Sequence, residues 1–195
     1  MLNSKEKILI QAKTLFAERG FTDVAMRSLA KTVSMSAAAL YHHFPDKNTL
    51  YLETVQYAFA DKALLFSEVW QLYSSAEKKL ELFVSSLIQA LISDCEFHRL
   101  IQRELLDGNT ERMKMLAEDV FKEQFSFLLT LIKEIAPEQD AHLVAVSVSS
   151  LCMRHLEMQP LCRYLPNWKQ EHEAPEVIAK HVIGLLLNGL AGKGL

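Results

Sequence analysis

Tyr41, His42 and Lys47 offer a hydroxyl, an imidazole and an ammonium within seven residues, three groups that bind phosphate oxygens. Just before them Ser36-Ala37-Ala38-Ala39 makes a front thin enough to enter a major groove, which is about 12 Å wide. A second cluster is of another kind. Cys95-x-x-His98 and Cys152-x-x-His155 each set a thiol and an imidazole three apart, on one helix face. Two such pairs have the ligand types of a zinc site. Free cysteine is as common in plain cores, so no metal and no other cofactor is expected. No GxSxG, HExxH, P-loop or GxGxxG arrangement occurs, and no catalytic residue is assigned.

The elements that must position these residues are helices. Gly and Pro are scarce, and apolar residues recur at helical rather than alternating spacing. Ile8, Leu9, Ala12, Leu15 and Phe16 form one stripe that stops at Gly20. Short helices follow near 26–31 and 36–42, and Asp46 caps a long one reaching about Leu72. Further helices are expected from the stripe at Leu80–Ile92, over 96–106, over 110–135, over 138–158 ahead of Pro160, and over 176–190. Nine helices and no strand make the fold all-α: three small N-terminal helices at 1–47 and a larger helical domain at 48–195. The first three hold too little core to be stable alone and are expected to dock on the start of the fourth.

Charge divides the same way. Residues 1–50 carry seven Lys or Arg against four acids, a net of +3, which leaves −6 for the remainder of a chain of net −3. A basic head on an acidic body suits a polyanionic partner. The polar N-terminus lacks the apolar core of a signal peptide, and no apolar run approaches the roughly 18 residues of a membrane helix. Three cysteines make an odd set, ordinary for reduced thiols. A cytoplasmic protein without a membrane partner is expected.

Leu15-Phe-Ala-Glu-Arg-Gly-Phe21, Met26-Arg-x-Leu-Ala30 and Leu40-Tyr-His-His-Phe-x-x-Lys47 together resemble the TetR family of transcriptional regulators over residues 5–55. The resemblance implies a helix-turn-helix DNA-binding domain, double-stranded operator DNA as partner, a homodimer, and a body that binds a small effector. By resemblance Tyr41, His43 and Lys47 touch phosphates, and Arg27 and His42 reach phosphates or base edges. Ser36, Ala37 and Ala39 then face the groove. Plain structural alternatives stand beside these roles: Tyr41 packing under its helix, His43 in the core beside Phe44, Lys47 as solvated charge, Arg27 paired with Asp23 or Asp46. The chain departs from the family at Ser34, where a turn glycine is usual, and at Ala25, where a Ser or Thr cap is usual.

The effector pocket implied by the resemblance has candidate walls in Phe66, Trp70, Phe83, Leu87, Phe97, Phe121, Phe125 and Met153, with Arg103 and Glu104 as polar contacts. Such residues are also ordinary core at helical spacing. The effector expected is small and apolar or amphipathic. The function expected is repression at a palindromic operator, relieved by that effector. The alternative is a DNA-binding regulator governed by a protein partner or by no ligand.

Three alanines on the reading helix cannot hydrogen-bond to bases, so direct readout falls to Arg27, Ser36 and His42, with DNA shape supplying the rest. A base-substitution scan of the operator is expected to show few sharp positions. Strong guanine preferences traced to other side chains would refute this.

Overall fold

The computed structural model describes residues 3–72 and 75–191, though not the side chains of 61, 63–72, 190 and 191. Among the described residues the chain is nine α-helices, and no strand occurs. They are α1 (Ser4–Asp23), α2 (Met26–Thr32), α3 (Ala37–His43), α4 (Lys47–Leu72), α5 (Ala76–Ser93) and α6 (Cys95–Asp107). Helix α7 runs from Thr110–Leu116 through a π-helical turn, Ala117–Phe121, into Lys122–Ile135. Helices α8 (Ala141–Cys162) and α9 (Pro175–Ala191) follow, with a 3-10 turn at Gln170–Glu173 between them.

The starts of these helices are written in side chains. Asn3 and Glu6 form a reciprocal capping box. Ser36, Asp46, Asp94, Asn109 and Asp140 each accept from the backbone N–H three residues on, which satisfies a donor the helix leaves open. Ala25 has no such bond to offer α2. Gly108 ends α6 in the left-handed region at φ 60°.

The structure departs from the periodicity in three places. At Gly20 (φ 78°, ψ 175°) the first helix breaks, then resumes for one turn to Asp23. In α7 the π-helical turn adds a residue and rotates the buried face, leaving Ala117 exposed between the buried Leu116 and Val120. Helix α8 does not stop before Pro160 but ends at Cys162. A proline in the last turn removes only one hydrogen bond, and Arg163 N–H still donates to Gln159.

The chain divides into two compact units. The first joins Met1–Asp61 to Asp94–Lys122, so the three head helices and the start of α4 share one core with α6 and the start of α7. Ile8, Ala12, Phe16, Leu29, Leu40, Phe44 and Leu50 are fully enclosed there. The second unit, Lys62–Ser93 with Glu123–Leu195, is built on α5, α8, α9 and the rest of α7. Leu80, Ile88, Leu128, Leu131, Ile132, Val148 and Val182 form its core. Helices α4 and α7 contribute to both units.

Two backbone positions carry strain of opposite consequence. The φ and ψ of Gly20 lie in a region open essentially to glycine, so Gly20→Ala is expected to cost about 1–3 kcal/mol. Ser34 sits at φ 55°, where Ser34→Gly is expected to gain about 1 kcal/mol. Chemical denaturation of the two variants measures both, and equal signs would contradict the assignment.

Candidate nucleic-acid interface

Helices α2 and α3 are held at their angle by a six-residue turn. Met35 N–H donates to the Ala30 carbonyl at 2.9 Å and Ser34 N–H to Lys31 at 3.1 Å. This pair of bonds closes a Schellman motif, whose left-handed position is Ser34. Leu29 and Ala30 bury on one side and Leu40 on the other, which leaves the outer face of α3 in solvent.

That outer face carries the residues that the spacing singles out. Ser36 caps α3 by accepting from Ala39 N–H at 3.1 Å, which leaves its own hydroxyl proton free to donate. Ala37 and Ala39 are half-buried beside it. Tyr41 is 48% exposed, and His42 is exposed. His43 is half-buried, its ring 6.3 Å from that of the fully buried Phe44. Arg27 is exposed on α2, and among the described residues it pairs with neither Asp23 nor Asp46.

Lys47 has a double role. Its Nζ donates to the Thr22 carbonyl at 3.1 Å and lies 4.3 Å from the centre of the Phe21 ring. Burial and the nearby Arg112 pull this ammonium below its ordinary value, against the pull of Asp23. An ammonium has three donors, and one hydrogen bond to Thr22 leaves two for a phosphate.

Behind the head lies a buried ionic cluster that sequence reasoning did not find. Glu104 and Arg112 are 2% and 7% exposed. Arg112 Nε donates to both Glu104 oxygens at 3.0 and 3.1 Å, and its Nη2 to Asp107. The guanidinium carbon stands 4.0 Å from the centre of the Phe21 ring. Phe21 in turn meets Tyr51 edge-on at 5.3 Å, and Phe16 meets Tyr51 at 5.0 Å. Burial, then the nearby Glu104 carboxylate, push the Tyr51 phenol above its ordinary range. Two further ties join α1 to α6. Arg103 Nε donates to the Ala17 carbonyl at 2.8 Å and Nη2 to Glu18 at 2.6 Å. Lys13 pairs with Asp94 and Glu96 at 3.1 and 3.4 Å. A signal for this cluster exists in the sequence: Glu104 and Arg112 flank the Asp107-Gly108-Asn109 turn, which brings an acid and a base eight apart into reach.

The expected effector-pocket residues divide between the two units. Arg103 and Glu104 join the cluster above and edge a cavity of about 290 Å³ beside Gly20 and Phe21. Phe97 and Phe121 both pack on Phe59, at 5.8 and 5.2 Å. In the second unit Phe83 stacks on Phe127 at 6.3 Å, Phe125 meets His142 at 5.4 Å, and Leu87 and Met153 are half-buried. The side chains of Phe66 and Trp70 lie outside the described residues. Of the two thiol–imidazole pairs, Cys95-x-x-His98 is in the first unit and Cys152-x-x-His155 in the second. Burial pushes the Cys152 thiol up to about 12. Among the described residues no three His, Cys, Asp or Glu gather as metal ligands.

Comparison with known proteins places this geometry. Residues 8–54 match the profile of bacterial regulatory proteins of the tetR family. Residues 76–192, more than half of the chain, match the C-terminal domain of the HTH-type transcriptional dual regulator CecR. Over 55 residues, 28% of this chain, it is 38% identical to the biofilm operon icaADBC HTH-type negative transcriptional regulator IcaR of Staphylococcus aureus strain Newman. The match spans 30% of that relative's length. The fold is that of the fatty acid degradation regulator FadR from Bacillus halodurans, with TM-score 0.77, 20% identity and 99% of each chain covered. It is also that of AibR, solved with isovaleryl coenzyme A and operator DNA, with TM-score 0.71, 19% identity, and 95% of this chain and 98% of that one covered.

Arg112→Met leaves Glu104 buried without its partner and is expected to cost about 3–5 kcal/mol. Adding Glu104→Gln to that variant is expected to recover part of the loss, because the uncompensated charge is gone. Urea titrations of the two variants read this, and additive losses would contradict the cluster.

Proposed function

Since the chain belongs to the TetR family of bacterial regulatory proteins, with the C-terminal domain of the CecR type, we propose that it binds operator DNA as a homodimer in the cytoplasm and represses transcription until a small effector releases it. The observation that supports this most is the exposed outer face of α3: Ser36 at its tip, Tyr41 and His42 in solvent, and Lys47 at the start of α4. Base edges meet Ser36, Arg27 and His42. Phosphates meet Tyr41, His43 and Lys47, and the open N–H groups at the start of α4 add a field that favours anions. No described helix is long and apolar enough to cross a membrane.

A second copy of the chain is supported by what α8 and α9 leave uncovered. Each buries one face, with Ala145, Val148, Cys152 and Leu156 on α8 and Ile178, Val182 and Leu186 on α9. Each also exposes apolar residues, Leu143, Val146 and Leu161 on α8 and Val177 and Leu185 on α9. A helix greasy on two faces needs two partners. A twofold pair of heads calls for a palindromic site, with half-sites about one DNA turn or a multiple apart.

Release follows from differential binding. The effector is a small apolar or amphipathic molecule, and the isovaleryl coenzyme A bound by AibR makes short acyl thioesters the first class to try. A hundredfold loss of DNA affinity requires about 2.7 kcal/mol of coupling, within the ordinary allosteric range. DNA then weakens effector binding by the same factor.

The test is titration of the purified protein against the DNA upstream of its own gene, at two salt concentrations. Tight binding whose salt slope falls by about one in Lys47→Ala, across all sequences alike, is the expected result. Tyr41→Phe is expected to weaken binding in the same uniform way. Binding indifferent to both variants and to salt would overturn the assignment of this face.

A further inference from the structure

The second unit holds a cavity that DNA binding does not use. It measures about 560 Å³ and lies between the C-terminal half of α8, the α8–α9 connection and the first turns of α9. Its size suits a small organic molecule. The connection is pinned in place: Arg163 Nε and Nη2 donate to the two Glu173 oxygens at 2.5 and 2.9 Å, bridging the end of α8 to the 3-10 turn.

The walls specify a chemistry. Trp168, Leu165, Pro166 and Ile178 supply apolar surface, and a flat indole. Gln159 lines the cavity, and its Nε2 is buried with no hydrogen-bond acceptor among the described residues. Native proteins rarely leave such a donor unanswered unless something else answers it. His172 adds a second donor. Its Nδ1 accepts the Lys169 N–H at 3.2 Å, which assigns its proton to Nε2.

The charges exclude other occupants. Among the lining residues the one carboxylate, Glu173, is held by Arg163, and no Lys or Arg lines the cavity. Burial and the neighbouring His181, its ring 5.4 Å away, hold the His155 imidazole below its ordinary value. An anion entering here meets no Lys or Arg to offset its lost hydration. A metal is not favoured either, since His155, His172, His181 and Cys162 do not gather as ligands.

We propose that this cavity binds an uncharged, largely apolar molecule with a carbonyl oxygen, such as an aromatic ketone, amide or lactone. The carbonyl accepts from Gln159 Nε2, and the ring lies against Trp168. Nothing in this site depends on the head or on DNA.

The test uses coumarin, a neutral aromatic lactone, with the full chain. The chain has two tryptophans, so Trp70→Phe leaves Trp168 as the sole emitter. Calorimetry on the unaltered chain provides the same reading without that substitution. Saturable one-to-one binding that quenches Trp168 is expected. Trans-cinnamate, of similar size but anionic, is expected to bind about tenfold more weakly or worse. Gln159→Leu removes the donor and is expected to lower coumarin affinity about tenfold while raising the melting temperature. A purely structural Gln159 would instead lose stability on this change. No saturable coumarin binding, equal affinity for cinnamate, or unchanged affinity in Gln159→Leu would each overturn the proposal.

Discussion

The position of the head rests on one buried ion pair. Glu104 and Arg112 are removed from water together, and neither tolerates the loss of the other. A hydrophobic pair of similar volume would hold the helices as firmly. What the ion pair adds is direction. Arg112 must aim one edge at Glu104, another at Asp107, and its flat face at Phe21. Tyr51 lies close enough to feel the same carboxylate. These demands place the end of α1 and the start of α4 at fixed points relative to α6 and α7. The first helix breaks at Gly20, immediately before the Phe21 ring that Arg112 covers.

The reading surface is built on that support and is thin by comparison. Helix α3 has two turns, one fully enclosed leucine and a serine cap. Its alanines give it slenderness at the expense of hydrogen bonds. The turn before it holds Ser34 in a conformation that serine disfavours, and the neighbouring helix α2 starts without a side-chain cap. Lys47 links the two layers, one donor on Thr22 and its charge over Phe21, which is also the ring beneath Arg112.

Much of this was legible in the sequence because helical periodicity and capping residues are local. The stripe Ile8, Leu9, Ala12, Leu15 and Phe16 is buried as its spacing requires, and Asp46 caps α4. The family motifs located the head for the same reason. What was not legible depends on contacts far apart in the chain. Arg103 and Glu104 read as polar residues on a half-buried helix, suited to a ligand. Their partners lie 85 residues away on α1 and across the turn in α7. The π-helical turn left no mark in the periodicity, because one added residue shifts a stripe without ending it. Pro160 read as a stop, though a proline so near a helix end costs little. Phe97, Phe121, Phe83 and Phe125 have the types and spacing of core, and each packs against another ring.

On the function proposed, α2 and α3 form a preformed reader of duplex DNA, used in pairs. Selection of bound fragments from sheared genomic DNA by the purified protein tests it most directly. Fragments that share an inverted repeat are expected, its half-sites centred about one helical turn or a multiple apart. Recovered fragments with no common repeat, at a yield no better than for competitor DNA, would contradict it.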